Sequence, residues 1–180
     1  LNAKRIVITG GPGTGKTSII NELKERDYKC LEEISRQVTL KAREDGIEQL
    51  FLEKPLLFSE LLLEGRKEQF DEAISYDSKL VFLDRGIPDV LAYMDYIGDS
   101  YPEPFKNACK ENMYDQVFIL APWQDIYISD SERYESFEQA IVIHDHLLKT
   151  YSTYGYDLID VPFESVTKRT DFILNCINFD

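Results

Sequence analysis

The chain has 180 residues, with 20 Lys and Arg against 33 Asp and Glu, giving a formal net charge of −13. That acidity excludes a general nucleic-acid binder, whose phosphate contacts need clustered cations, and disfavours an anionic lipid surface. With 43% hydrophobic and 29% charged residues, the composition predicts one globular domain over residues 1–180 with a buried core.

In chain order, Lys4–Thr9 reads as a short buried strand, glycine-rich Gly10–Lys16 as a loop, and Thr17–Arg26 as a helix with Ile19, Ile20 and Leu23 on one face. Tyr28–Ile34 fits a second strand, followed by a helix to about Arg43. Pro55–Tyr76 fits a long leucine-rich helix with proline at its start. Lys79–Asp84 is the third strand, and helices over Pro88–Ile97 and Pro104–Asn112 follow. Gln116–Leu120 is a fourth strand, Trp123–Tyr134 is polar and irregular, and Glu135–Tyr154 is helical again. Tyr156–Val161 and Ser165–Cys176 give a fifth strand and a closing helix. Strands alternating with helices predict an α/β fold with a five-stranded, mainly parallel sheet flanked by helices. No apolar run approaches the roughly 20 residues of a membrane span, and no secretory leader is recognised. Cys30, Cys109 and Cys176 lack paired metal-ligand spacing and read as reduced thiols of a cytoplasmic protein.

Gly10-Gly11-Pro12-Gly13-Thr14-Gly15-Lys16-Thr17 matches G-x-x-x-x-G-K-[ST], between a strand and a helix. Backbone N–H groups from Gly11, Pro12's successor Gly13, Thr14 and Gly15 onward to Ser18, with the helix N-terminus, would converge on an anion there. Lys16 would reach the β- and γ-phosphates of a nucleotide and the Thr17 hydroxyl would ligate Mg²⁺. Leu80-Val81-Phe82-Leu83-Asp84 ends a strand in a carboxylate at the sheet edge where that loop lies, so Asp84 is a candidate metal ligand or proton acceptor. Arg85 and Gly86 follow it, not the Glu that activates water in many ATPases.

Glu33 and Arg36, three positions apart at a helix start, are expected to share a face. Glu33 would bind or deprotonate an acceptor hydroxyl and Arg36 would clamp an anion, the alternative being a helix cap with a surface ion pair. Arg66, on the leucine-rich helix, is a further pocket candidate, the preferred reading being that Arg66 and Lys67 form a solvated helix face. Residues 122–134 have the polarity of a lid, and Arg133 is its candidate for stabilising charge on a transferred phosphoryl group. Val161 and Pro162, after the last strand, are candidates for the edge of a base site. No Asn-Lys-x-Asp guanine motif occurs, so ATP is the expected donor with GTP left open. His144 and His146 point about 200° apart on a helix and cannot share a metal.

Together, Gly10–Thr17, Glu33 with Arg36, Asp84-Arg85-Gly86, residues 123–133 and Val161-Pro162 resemble the P-loop ATPase/kinase-like family of AAA-like ATP-binding domains. The set is similar to the nicotinamide riboside kinase part of NAD-salvage proteins. The Asp84-Arg85 pair looks like the corresponding site of thymidylate and deoxynucleoside kinases, where the arginine holds substrate or phosphate. The resemblance implies a P-loop NTPase fold of nucleoside-kinase type, with the phosphate-loop strand central and a lid. It also implies ATP- and Mg²⁺-dependent phosphoryl transfer to a small-molecule hydroxyl acceptor, with Arg85 among the substrate-binding residues. A nucleotide-binding switch or a plain ATPase is the alternative reading.

Overall fold

The computed structural model describes residues 3–127 and 135–177. Strands β1 (Lys4–Gly10), β2 (Lys29–Leu31), β3 (Leu80–Asp84), β4 (Gln116–Leu120) and β5 (Leu158–Asp160) form one sheet in the order β2-β3-β1-β4-β5. Every pairing is parallel. The helices are α1 (Lys16–Glu25), α2 (Ser35–Glu44), α3 (Leu50–Glu53), α4 (Pro55–Glu72), α5 (Ile87–Ile97), α6 (Glu103–Glu111), α7 (Phe137–Thr153) and α8 (Val166–Asn175). This is the P-loop NTPase architecture expected from the sequence.

Alternation along β1 builds two cores. Ile6 and Ile8 face Ile19, Ile20 and Leu23 of α1 and Ile173 of α8. Val7 faces the opposite layer, where Leu62, Leu63 and Phe70 of α4, Val90 and Leu91 of α5, and Ile143 and Leu147 of α7 pack. Both faces of the sheet are covered, which is why its central strands are nearly unbroken apolar runs. Central β1 lies between β3 and β4, and the chain leaves β1 for β2 on the β3 side but leaves β3 for β4 on the other, so the C-terminal end of β1 is the topological switch point where α/β sheets bind ligands.

Several elements differ from the expectation, β5 among them, which keeps only Leu158–Asp160. The second strand keeps only Lys29–Leu31, because β2 is an edge strand paired to β3 alone. The short helix α3 precedes Pro55 within a stretch with no predicted element. At the start of α7, Ser136 and Gln139 form a reciprocal capping box, so the helix begins at Phe137 and not at Glu135. No described helix is long and apolar enough to cross a membrane.

Candidate active site

The loop after β1 is shaped by close approach. A Cβ on Gly10 would lie 2.8 Å from the Leu120 carbonyl oxygen and 2.9 Å from Thr14 Oγ1. Gly13 and Gly15 both take positive φ, 73° and 84°, the left-handed region that favours glycine. Thr14 Oγ1 donates to the Gly11 carbonyl at 3.0 Å and closes the turn. Gly15 caps α1 without a side-chain hydrogen bond, and no acidic residue occupies the first turn. The N–H groups of residues 13–16 find no acceptor among the described residues. Such a run of open amides at a helix N-terminus is an anion site. Thr17 and Ser18 stand exposed at its mouth.

Asp84 arrives at the same edge because β3 registers against β1 with Ile8 opposite it. Its Oδ1 lies 2.7 Å from Lys16 Nζ, with both side chains buried. Burial, then the neighbouring Arg85, pulls the Lys16 ammonium below its ordinary value, while Asp84 and Glu33 oppose that shift.

Beyond Asp84 the charges form a chain. Arg85 Nε meets Glu33 Oε2 at 2.6 Å and its Nη1 meets Asp89 Oδ1 at 3.3 Å. Arg66 Nη2 meets Glu33 Oε1 at 3.0 Å, and its Nη1 donates to the Asp84 carbonyl at 3.3 Å. Burial would raise the Glu33 carboxyl, but Arg66, Arg85 and Lys16 outweigh it and bring it to about 2. Asp89 is anchored from behind by Thr9 Oγ1 at 2.6 Å and by the Tyr151 hydroxyl, and it accepts the Gly86 N–H at 2.9 Å. Arg85 sits at φ 73°, rare for a non-glycine residue. This network fixes its guanidinium despite that backbone.

These groups form one wall of a cavity of about 250 Å³ whose other walls include Phe51, Phe58, Tyr93 and Tyr96, with Glu135 at the rim. Arg66 is only 3% exposed, which corrects the expectation of a solvated face there. Arg36 is corrected in the opposite sense. The helix starts at Ser35, so Glu33 precedes it and accepts the Ser35 N–H at 3.0 Å. Helical spacing therefore does not place Arg36 beside Glu33, and Arg36 is exposed outside the cluster. Arg66, from the middle of α4, takes the position beside Glu33.

Val161 is buried in the core with its N–H bonded to the Ile119 carbonyl, and Pro162 beside it is exposed. Next to them Phe163 stacks on Trp123, centroids 5.0 Å apart. Of the lid expected over 122–134, residues up to 127 are described and contain a short 3₁₀ turn, Gln124–Ile126; Arg133 lies outside the described residues. Sequence reasoning missed Asp89, Tyr151 and Arg169. Asp89 had a local signal, since it stands three residues after Gly86 at a helix start, the capping-box offset.

The AAA domain family model matches residues 5–169. The chain belongs to that family. The comparison with curated proteins finds no match. Among solved structures, deoxyadenosine kinase from M. mycoides, with products dCMP and a flexible dCDP bound, superposes with a TM-score of 0.71 at 17% identity, covering 95% of this chain and 97% of that one. NadR in complex with NR gives a TM-score of 0.76 at 17% identity over 96% of this chain and 51% of NadR, so this family member spans about half the length of that protein. Thymidylate kinase from Candida albicans gives 0.63 at 17% identity, covering 97% and 90%. At these identities the likeness is one of fold, the P-loop fold of nucleoside and nucleotide kinases.

Proposed function

We propose that this AAA-family domain transfers the γ-phosphoryl group of ATP, with Mg²⁺, to a hydroxyl of a small ring-bearing acceptor. The observation that carries the reading is that two ionic clusters meet at Asp84: its carboxylate pairs with Lys16 beside the open amides of the phosphate loop, and its carbonyl accepts from Arg66, which with Glu33 and Arg85 lines an aromatic-walled cavity. A domain that only hydrolysed ATP would need no such cavity, and Arg85 stands where a water-activating carboxylate would follow Asp84.

The loop amides and Lys16 would hold the β- and γ-phosphates, with ATP the expected nucleotide and GTP an alternative. Among the described residues no group of three or more His, Cys, Asp or Glu side chains is placed to hold a metal alone. The Thr17 hydroxyl and Asp84 carboxylate instead offer the sparse oxygen set that suits Mg²⁺ sharing its shell with phosphate oxygens. When bound, that ion supplies neutralisation of charge on the β- and γ-oxygens.

Glu33 is fully ionised at neutral pH and too weakly basic to be an efficient proton acceptor. Its role is to accept a hydrogen bond from the acceptor hydroxyl and aim that oxygen at the γ-phosphorus. The oxygen–phosphorus bond forms as the bridge to the β-phosphate breaks, ADP leaves, and the hydroxyl proton passes to Asp84 or to the transferred phosphoryl oxygens. Loose phosphoryl-transfer transition states depend chiefly on such positioning. Arg85 would neutralise charge between the two sites. Glu33, Asp89 and Glu135 outnumber Arg66 and Arg85 around the cavity, and both arginines are already engaged by carboxylates. That balance favours a neutral or cationic acceptor, such as a nucleoside, over a nucleoside monophosphate.

The test is a panel of nucleosides, sugars and cofactor precursors incubated with γ-labelled ATP and Mg²⁺. Label on one acceptor class, abolished by Lys16→Ala and by Glu33→Gln, is expected. ATP turnover to free phosphate with no acceptor labelled would overturn the reading.

A further inference from the structure

Arg169 of α8 is 2% exposed and makes one hydrogen bond, from Nη1 to the Thr14 carbonyl at 2.9 Å. Its Nε and Nη2 are buried without partners, and no carboxylate pairs with it among the described residues. The guanidinium also lies 5.6 Å from the Trp123 ring centroid, on an indole that stacks on Phe163. A Cβ on Gly15 would come within 2.8 Å of Nη1, so the loop's glycine is what lets the arginine approach.

A buried cation with two idle donors is costly, and a protein keeps one where an anion offsets it. The Thr14 carbonyl and the Gly15 N–H belong to one planar trans peptide and point in opposite directions. Pinning the carbonyl outward on Arg169 therefore aims the Gly15 N–H into the anion hollow. We propose that Arg169 is a positioning residue of the phosphate site, orienting the Thr14–Gly15 peptide from behind the loop while its uncompensated charge favours a polyphosphate in front of it. The assignment rests on the nucleotide-binding reading above. Through Trp123 it also ties loop occupancy to the segment that follows β4.

The experiment measures the affinity of Mg·ADP and of inorganic tripolyphosphate for the wild type, Arg169→Met and Arg169→Lys, below each protein's unfolding temperature. Arg26→Met is the control, because Arg26 ties α1 to Asp171 of α8 at 2.6 Å far from the loop. Arg169→Met weakens both ligands about tenfold or more, the scale of one charge-assisted hydrogen bond. Arg169→Lys, which keeps the charge, recovers part of that loss, and Arg26→Met changes only the unfolding temperature. Trp123 is the chain's single tryptophan, and its emission shifts on ligand addition in the wild type but not in Arg169→Met. Ligand affinity within twofold of wild type in Arg169→Met, with wild-type binding intact, overturns the assignment alone. If the wild type binds neither ligand, the nucleotide-binding reading falls and this one with it. Should Arg169→Met not fold, Arg169→Lys decides: affinity and emission response equal to wild type in both ligands overturn the role given to the guanidinium fork.

Discussion

Arg85 Nε lies 2.6 Å from Glu33 Oε2, and this pair joins the end of β3 to the segment entering α2. Glu33 is held by Arg66 as well, at 3.0 Å, so one carboxylate serves two guanidiniums from separate parts of the fold.

That arrangement makes stability depend on acid. Glu33 titrates near 2 in the folded chain against an ordinary 4.5, so the unfolded state binds its proton first as pH falls. The contribution of Glu33 is complete above 4.5 and is lost as pH drops from there towards 2. The wild type should unfold at higher temperature than Glu33→Gln at pH 7, with the gap narrowing below pH 4.5. A gap that stays constant from pH 7 to 3 would show that the two arginines do not hold the carboxylate.

Gly15 and Gly46 share φ 84°, but only Gly15 is crowded. Gly46→Ala has open space around it and should cost about 1–2 kcal/mol for the left-handed backbone alone. Gly15→Ala adds contacts with Arg169 Nη1 at 2.8 Å and Ile126 Cδ1 at 3.3 Å, so it should cost more. Urea unfolding of the two variants gives the comparison; equal losses would mean that Arg169 does not press on the loop.

Asp89, 1% exposed, accepts from Thr9 and Tyr151, both fully buried. Tyr151→Phe removes one donor to a buried carboxylate and should destabilise by about 1–3 kcal/mol. Thr9→Val should act similarly, and the double variant should depart from additivity because the two share one acceptor. A double-mutant cycle with no coupling would place Asp89 outside their common network. Because Asp89 also holds Arg85, Tyr151→Phe should lower phosphoryl transfer without any contact to the acceptor.

Much of the fold is legible because its signals are local. The apolar β-branched run of β1, the glycines after it and the Lys-Thr pair at the head of α1 occupy one contiguous stretch. Strand-to-helix alternation carries the rest of the α/β architecture, and the ends of β4 match the predicted Gln116–Leu120. The edge strand β2 was overlong in expectation because hydrophobic pattern does not say how much of a run finds a partner.

The candidate site is different. The sequence by itself determined the phosphate loop, the carboxylate at the end of β3 and the arginine after it, since each depends on neighbours in the chain. Only tertiary structure decided that Arg66 and not Arg36 faces Glu33, that Thr9 and Tyr151 converge on Asp89, and that Arg169 stands behind Thr14 across 155 positions of sequence. Spacing along one helix predicts which side chains share its face, but side chains on different elements meet only where packing and strand register bring those elements together.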